Sequence, residues 1–291
     1  MNKSIYPFYF SIGALVLYLL FFVIPGFMGI YFSFTDWNSY SEGIEFIGLD
    51  NFRTIFSGSE KYLSYLNHTV TFTIATAILK TGIGLFLALI LNQGIKGKNF
   101  HRVVIFMPVI VPTLIVGLIF KSVMHPEVGL VNEFLRSIGL EFLAKSWLTD
   151  IHLAFKSIIA VDTWKGVGYI MVILLAGLQA IPDMYYEAAE MDGANFWNKF
   201  KHIIVPLLMP ALTVTTVLNF IYGFKVFDIV YALTNGGPGY ETEVLYTGVF
   251  KEFSLGRYGV GTALSTVMFL VMIVIGFWAV KWMSNEDEVG K

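Results

Sequence analysis

Ile181-Pro182-Asp183-Met184-Tyr185-Tyr186-Glu187-Ala188-Ala189-Glu190-Met191-Asp192-Gly193-Ala194, running on through Phe200 to Pro206, is a short charged stretch between two long apolar runs. Pro182 suits the first turn of a helix, where its missing N–H costs nothing. Met184 to Asp192 read as two helical turns, which Gly193 ends in the left-handed conformation. Asn195 caps a second helix that continues through Phe196, Trp197 and Phe200 into the following apolar segment. Ala188 and Ala189 leave the first helix thin on one side, so that another protein's backbone can approach closely. A helix of this size, beside a membrane and too small to fold alone, is built to dock.

The rest of the chain is apolar. Its 291 residues are 56% hydrophobic and only 14% charged, with a mean hydropathy of +0.69. That composition lies outside the soluble globular range. A net charge of -2 gives no argument for nucleic acid. The chain has no cysteine, which excludes disulfides, thiolate metal ligands and a cysteine nucleophile. A membrane helix needs about 20 apolar residues. Six stretches qualify: about 8–32, 70–91, 103–120, 153–178, 203–224 and 263–282. The first is too long for a signal-peptide core and reads as a retained anchor. Pro108 and Pro112 are expected to kink the third. The fold class is therefore all-α, a polytopic membrane protein with six transmembrane helices in a single domain, 1–291, with a soluble loop at 181–202.

Basic residues orient it. With the amino terminus in the cytoplasm, Lys3, Lys96, Lys98, Arg102, Lys199, Lys201 and Lys291 fall on the inner side. Basic residues are then about twice as dense inside as outside, which puts both termini and the 181–202 loop in the cytoplasm. Outside, Asn235-Gly236-Gly237-Pro238-Gly239 and Thr35-Asp36-Trp37-Asn38 read as turns.

No catalytic constellation is present. Gly94-Ile95-Lys96-Gly97-Lys98-Asn99 lacks the glycine spacing and the hydroxyl of a phosphate loop. The five histidines have no metal-ligand pairing. Ionisable residues inside spans are more informative, because each is costly in lipid and faces protein or water. Lys80 sits mid-way along the second span, and Asp162 and Lys165 lie three apart on one face of the fourth. Lys225 and Asp228 follow the fifth. One reading pairs Asp162 with Lys165 for packing alone. The other is a polar cavity along the fourth and fifth spans. There Gly166 and Gly168 give room, Trp164 and Tyr169 give aromatic faces, and Asn219 and Tyr222 give hydrogen bonds. Such a set suits a sugar, with C–H faces to stack on and hydroxyls to bond.

Glu187-Ala188-Ala189, three residues, Gly193, nine residues, then Ile203-Ile204-Val205-Pro206 resembles the EAA loop of ABC importer permeases, with Val205 where that family usually has leucine. Phe34-Thr35-Asp36-Trp37, Gly48-Leu49-Asp50-Asn51-Phe52, Ala176-Gly177-Leu178-Gln179-Ala180-Ile181-Pro182 and Leu233-Thr234-Asn235-Gly236-Gly237-Pro238 are similar to carbohydrate importer permeases of the maltose and glycerol-phosphate type. The resemblance covers nearly the whole chain. It implies the type I importer permease fold in a prokaryotic cytoplasmic (inner) membrane, and ATPase coupling through Glu187, Ala188, Ala189, Asp192, Gly193, Phe196 and Phe200. It also implies a second homologous permease subunit, two ATP-binding cassette subunits that hold the ATP and Mg, and an extracytoplasmic sugar-binding protein. This chain would bind no cofactor or metal itself. The family's sugar-contacting positions carry over onto Asp162, Lys165, Gly166, Tyr169, Asn219, Tyr222, Gly223 and Val226. Gly166 and Tyr169 agree in type with the maltose permease; Asp162, Lys165 and Val226 do not. Lys165 and Lys225 suit an acidic sugar or a phosphate, with contacts to loops or partners the plainer role. The alternative to an importer is an ion- or proton-coupled secondary transporter working without an ATPase, with Asp162 and Lys80 as its ion sites.

Overall fold

The computed structural model describes residues 9–40, 42–58 and 61–289. Among them there is no β-strand, only an isolated antiparallel bridge between Thr35 and Phe46. That bridge occupies the place where a turn was expected at Thr35-Asp36-Trp37-Asn38, and Asp36 Oδ1 accepts the Glu45 N–H at 2.7 Å to hold it. The helices in order are α1 (Tyr9–Phe32), α2 (Asp50–Phe56), α3 (Tyr62–Asn92), α4 (Lys98–Ile110), α5 (Thr113–Val123), α6 (Leu130–Ser137), α7 (Ala154–Gln179), α8 (Asp183–Met191), α9 (Phe196–Phe224), α10 (Asp228–Leu233), α11 (Leu245–Ser254) and α12 (Tyr258–Val289).

Among the described residues five helices are long and apolar enough to cross a bilayer: α1, α3, α7, α9 and α12 over Tyr258–Trp278. A sixth crossing exists if α4 and α5 are one broken span. The expected third span, 103–120, is thus not a kinked helix but two helices bent by 96°. The break has a local cause. Pro112 disfavours helical backbone at the residue before it, and Val111 is extended at φ -70, ψ 129. Pro108, expected to kink the same span, stays inside α4. In α9 a π-helical stretch, Phe200–Ile204, ends two residues before Pro206. The proline ring would crowd the His202 carbonyl in a tight α-turn, and the wider turn relieves that.

The chain divides into two compact units. The first joins the residues before Ser64 to Gly248–Val271. In it the buried Asn51 side chain donates to the carbonyls of Ser33 and Thr35 at 3.0 and 2.8 Å, tying α2 to the end of α1. Gly259 lies close against the Thr35 carbonyl, where a Cβ would not fit.

The second unit, Ser64–Thr247 with the residues after Val271, holds two apolar clusters. One contains Phe72, Val116, Ile158, Val161, Val226, Ile229 and Leu233. The other contains Ala88, Leu91, Ile170, Met171, Leu174, Leu178, Ile181, Ile204 and Leu208. Each of α3, α7 and α9 runs from one cluster toward the other, and each carries its polar residues between: Lys80, Asp162 and Asn219. Glycines let these helices approach closely, as small residues do in membrane bundles. A Cβ on Gly168 would meet the Phe106 backbone at 2.9 Å, and one on Gly223 the Thr73 backbone at 2.8 Å.

Candidate functional site

The polar layer between the two apolar clusters opens into a cavity of about 430 Å³. Six residues expected at a substrate site line it: Asp162, Lys165, Gly166 and Tyr169 from α7, with Asn219 and Tyr222 from α9. Lys80, Val109, Ile170, Leu218, Ile221 and Lys225 complete the wall. The other two expected residues lie elsewhere. Gly223 faces Thr73, where it permits the crossing of α9 and α3. Val226 is buried in the apolar cluster around Ile229. Trp164 turns away to pack on Phe120, ring centroids 5.0 Å apart, and does not line the cavity.

Asp162 does not pair with Lys165. Its Oδ2 lies 2.6 Å from Lys80 Nζ, and both side chains are almost wholly buried. Its Oδ1 accepts a hydrogen bond from the Tyr222 hydroxyl at 2.8 Å. Lys80 Nζ also sits 4.4 Å from the Tyr222 ring centroid, a cation–π contact. Gly166 is the seat of this arrangement, because a Cβ there would come within 2.7 Å of Lys80 Cε. Burying two charges costs several kcal/mol each, and only a short pairing with further hydrogen bonds offsets that. Tyr222 supplies both the extra donor and the aromatic face. Lys165 and Lys225 differ: each lines the cavity, and among the described residues neither forms an ion pair.

The soluble stretch ends its first helix and caps its second as its sequence suggests, but Pro182, expected in the first helical turn, stands just before α8, extended at ψ 137. Gly193 takes φ +71. The Gly193 N–H donates to the Glu190 carbonyl at 3.0 Å and the Ala194 N–H to the Ala189 carbonyl at 2.8 Å. These two bonds are a Schellman motif closing the helix after Asp192. Asn195 then caps α9, its side chain accepting the Asn198 N–H at 2.9 Å.

Lys199 Nζ reaches back to Glu190 Oε1 at 2.9 Å and clamps the two helices together. That hydrogen bond, more than the charge of Lys199 itself, holds the Glu190 carboxyl below the usual carboxylate range. Burial, and secondarily the Asp183 carboxylate, pushes the Tyr186 hydroxyl up.

Of the residues expected to couple to an ATPase, Glu187, Ala188, Asp192, Gly193 and Phe196 are exposed, and Phe200 is half-buried. Ala189 is buried against its own chain, so only Ala188 leaves the outer face of α8 thin. Met191 and Trp197, 89% and 71% exposed, present large apolar surface on this segment. The opposite side is anchored: Tyr186, Phe200 and Ile203 pack on the apolar cluster formed by Leu174, Leu178 and Leu208. α8 is thus packed, through Tyr186, on residues of α7 and α9, the helices that wall the cavity.

Residues 80–285 match the family model described as the binding-protein-dependent transport system inner membrane component. The chain belongs to that family. The family's description as an inner membrane component agrees with the several apolar helices found here. The chain is 37% identical over 91% of its length to the trehalose/maltose transport system permease protein MalF of Thermococcus litoralis, covering 89% of that protein. It is 35% identical to the probable ABC transporter permease protein YurN of Bacillus subtilis, with 99% of both chains covered. To the sn-glycerol-3-phosphate transport system permease protein UgpA of Agrobacterium fabrum it is 32% identical, over 99% of this chain and 97% of that one. Among solved structures, it superposes with a TM-score of 0.83 on a chain of a bacterial ABC transporter involved in the import of the acidic polysaccharide alginate. That match covers 96% of this chain and 94% of the other at 24% identity, so it shows the fold: that of the ABC importer permeases.

Lys80 was visible in the sequence as an ionisable residue in a span, but its partner was not. Nothing in the sequence brings residues 80 and 162 together, whereas the spacing of 162 and 165 invites a false pairing.

Proposed function

We propose that this chain is the membrane-spanning permease subunit of an ATP-driven, binding-protein-dependent saccharide importer, its 291 residues acting as one transmembrane domain. The observation that carries this is the mechanical continuity of the second unit. An exposed docking segment is clamped into one piece by Glu190–Lys199 and rooted through Tyr186 and Phe200 in the helices that wall a polar cavity. Relatives named for trehalose/maltose and for sn-glycerol-3-phosphate support a saccharide or a small polyol phosphate as cargo.

In this reading both termini and residues 181–202 lie in the cytoplasm. A second, similar permease completes the pathway, and two ATP-binding cassette subunits hold ATP and Mg; this chain binds neither and hydrolyses nothing. ATP binding closes those subunits and moves the segment from Glu187 to Phe200 as a lever. The spans then rock from inward-facing to outward-facing around the cavity, which takes its saccharide from an extracytoplasmic binding protein. An ion-coupled transporter would need Asp162 and Lys80 as free ion carriers, and here each neutralises the other.

Glu187→Ala and Gly193→Val test the reading. Gly193 has open space around it but a left-handed backbone, so a β-branched residue there strains the turn without a clash, by roughly 1–2 kcal/mol. Both variants are expected to reach the membrane at wild-type level and to lose saccharide uptake while the ATPase subunits still turn over ATP. Normal uptake by both, at normal expression, contradicts the lever.

A further inference from the structure

We propose that the saccharide accepted by this cavity is anionic, bearing a carboxylate or a phosphate that Lys165 and Lys225 bind; this rests on the importer reading above. Three lysines stand in one cavity wall, and the fold treats them differently. Lys80 shows how this fold treats a structural cation. It is 3% exposed, paired with Asp162 at 2.6 Å, covered by the Tyr222 ring, and seated on a glycine. Lys165 and Lys225 receive none of this. Both reach the same space, neither forms an ion pair among the described residues, and the single carboxylate in the wall, Asp162, is spent on Lys80 and on the Tyr222 hydroxyl.

Asp228, one turn beyond Lys225, is exposed, forms no ion pair among the described residues and does not line the cavity. The wall therefore carries more positive than negative charge even with Asp228 counted beside it. Lysines that line a cavity inside a membrane protein mark substrate or ion pathways, and two of them without a carboxylate partner favour an anion as the occupant.

A neutral sugar would supply only hydroxyl dipoles. A carboxylate or phosphate supplies the missing charge and accepts charge-assisted hydrogen bonds from both lysines, the stronger kind. Lysine is a point charge with three donors and no fixed plane, so it serves either group. Tyr169, half-exposed on the same wall, offers a ring face to the sugar C–H groups.

The test is uptake by cells expressing the complete importer. Three labelled probes of matched size are used: a neutral disaccharide, its uronic-acid counterpart and its phosphate ester. Accumulation of the uronate or the phosphate is expected, the better of the two naming the charged group. Lys165→Gln and Lys225→Gln are each expected to lower it about tenfold or more, with membrane level unchanged and Lys165→Arg retaining most of it.

Uptake of the neutral probe alone, uptake of none of the three, or anionic uptake that both glutamine variants leave untouched overturns the proposal. The importer reading is decided separately, by whether ATP-binding subunits co-purify with the tagged wild-type chain. Their presence with neutral uptake sinks the charge argument and leaves the importer standing; their absence sinks both.

Discussion

Replacing Asp162 with asparagine isolates the buried ion pair. Asparagine has nearly the same shape, and its Oδ1 can still accept the Tyr222 hydroxyl that now lies 2.8 Å from Asp162. What disappears is the negative charge 2.6 Å from Lys80, whose side chain is 4% exposed. Removing one partner of a buried pair costs about 3–5 kcal/mol, because the remaining charge is left uncompensated. The Tyr222 ring, 4.4 Å from Lys80 Nζ, still faces the ammonium, a contact worth up to about 2 kcal/mol when desolvated.

The expected loss is therefore at the lower end, near 3 kcal/mol, or about a hundredfold in the folded population. Thermal unfolding of the purified complex in detergent, followed by the loss of monodisperse protein, should show a fall of several degrees. Lys80→Met combined with Asp162→Asn removes both charges and should recover most of that loss, since a buried pair replaced as a pair is close to neutral. Wild-type melting of the single variant, or a double variant no better than Asp162→Asn, refutes the assignment of Asp162 to Lys80.

Gly166→Ala should act on the same pair sterically: its Cβ meets Lys80 Cε at 2.7 Å, so uptake is expected to fall by at least tenfold while Gly26→Ala, whose Cβ meets nothing within 4 Å, leaves it unchanged. Asn195→Ala removes the side-chain acceptor of the Asn198 N–H. It is expected to cost about 1 kcal/mol, seen as faster amide exchange confined to the start of α9. The Glu190–Lys199 clamp should depend on pH. The folded carboxyl lies below its ordinary 4.5, so the clamp's contribution is complete above that value and is lost as pH falls through the lowered one. Proteolysis between α8 and α9 should therefore accelerate only on the acid side of 4.5, and Glu190→Gln should be cleaved at the fast rate at every pH.

The apolar runs announced the membrane helices because lipid imposes a length and a composition on any segment that crosses it. The 181–202 segment was also legible, since Gly193 and Asn195 act on their immediate neighbours and such capping is written locally. Two things were not. The 96° break between α4 and α5 falls at Val111, the residue before Pro112, while Pro108 stays inside α4, and two prolines four residues apart do not say which of them ends the helix. The Lys80–Asp162–Tyr222 cluster draws one residue from each of three helices, and no periodicity within a single helix reports on such a meeting. Gly223 and Val226 were placed at the cavity by resemblance alone. In the structure they are an approach point and a core residue, and the cavity wall holds Lys80 and Lys225 instead.

In the proposed mechanism, force from a cytoplasmic partner enters through the segment from α8 to the start of α9. Met191 is 89% exposed there and the chain has no native cysteine, so Met191→Cys provides a single label. A membrane-impermeant maleimide applied to intact cells and to inverted membrane vesicles measures its side directly. Intact cells are expected to show no labelling and inverted vesicles full labelling, blocked when the ATP-binding subunits are bound. Labelling of intact cells from outside would contradict that mechanism.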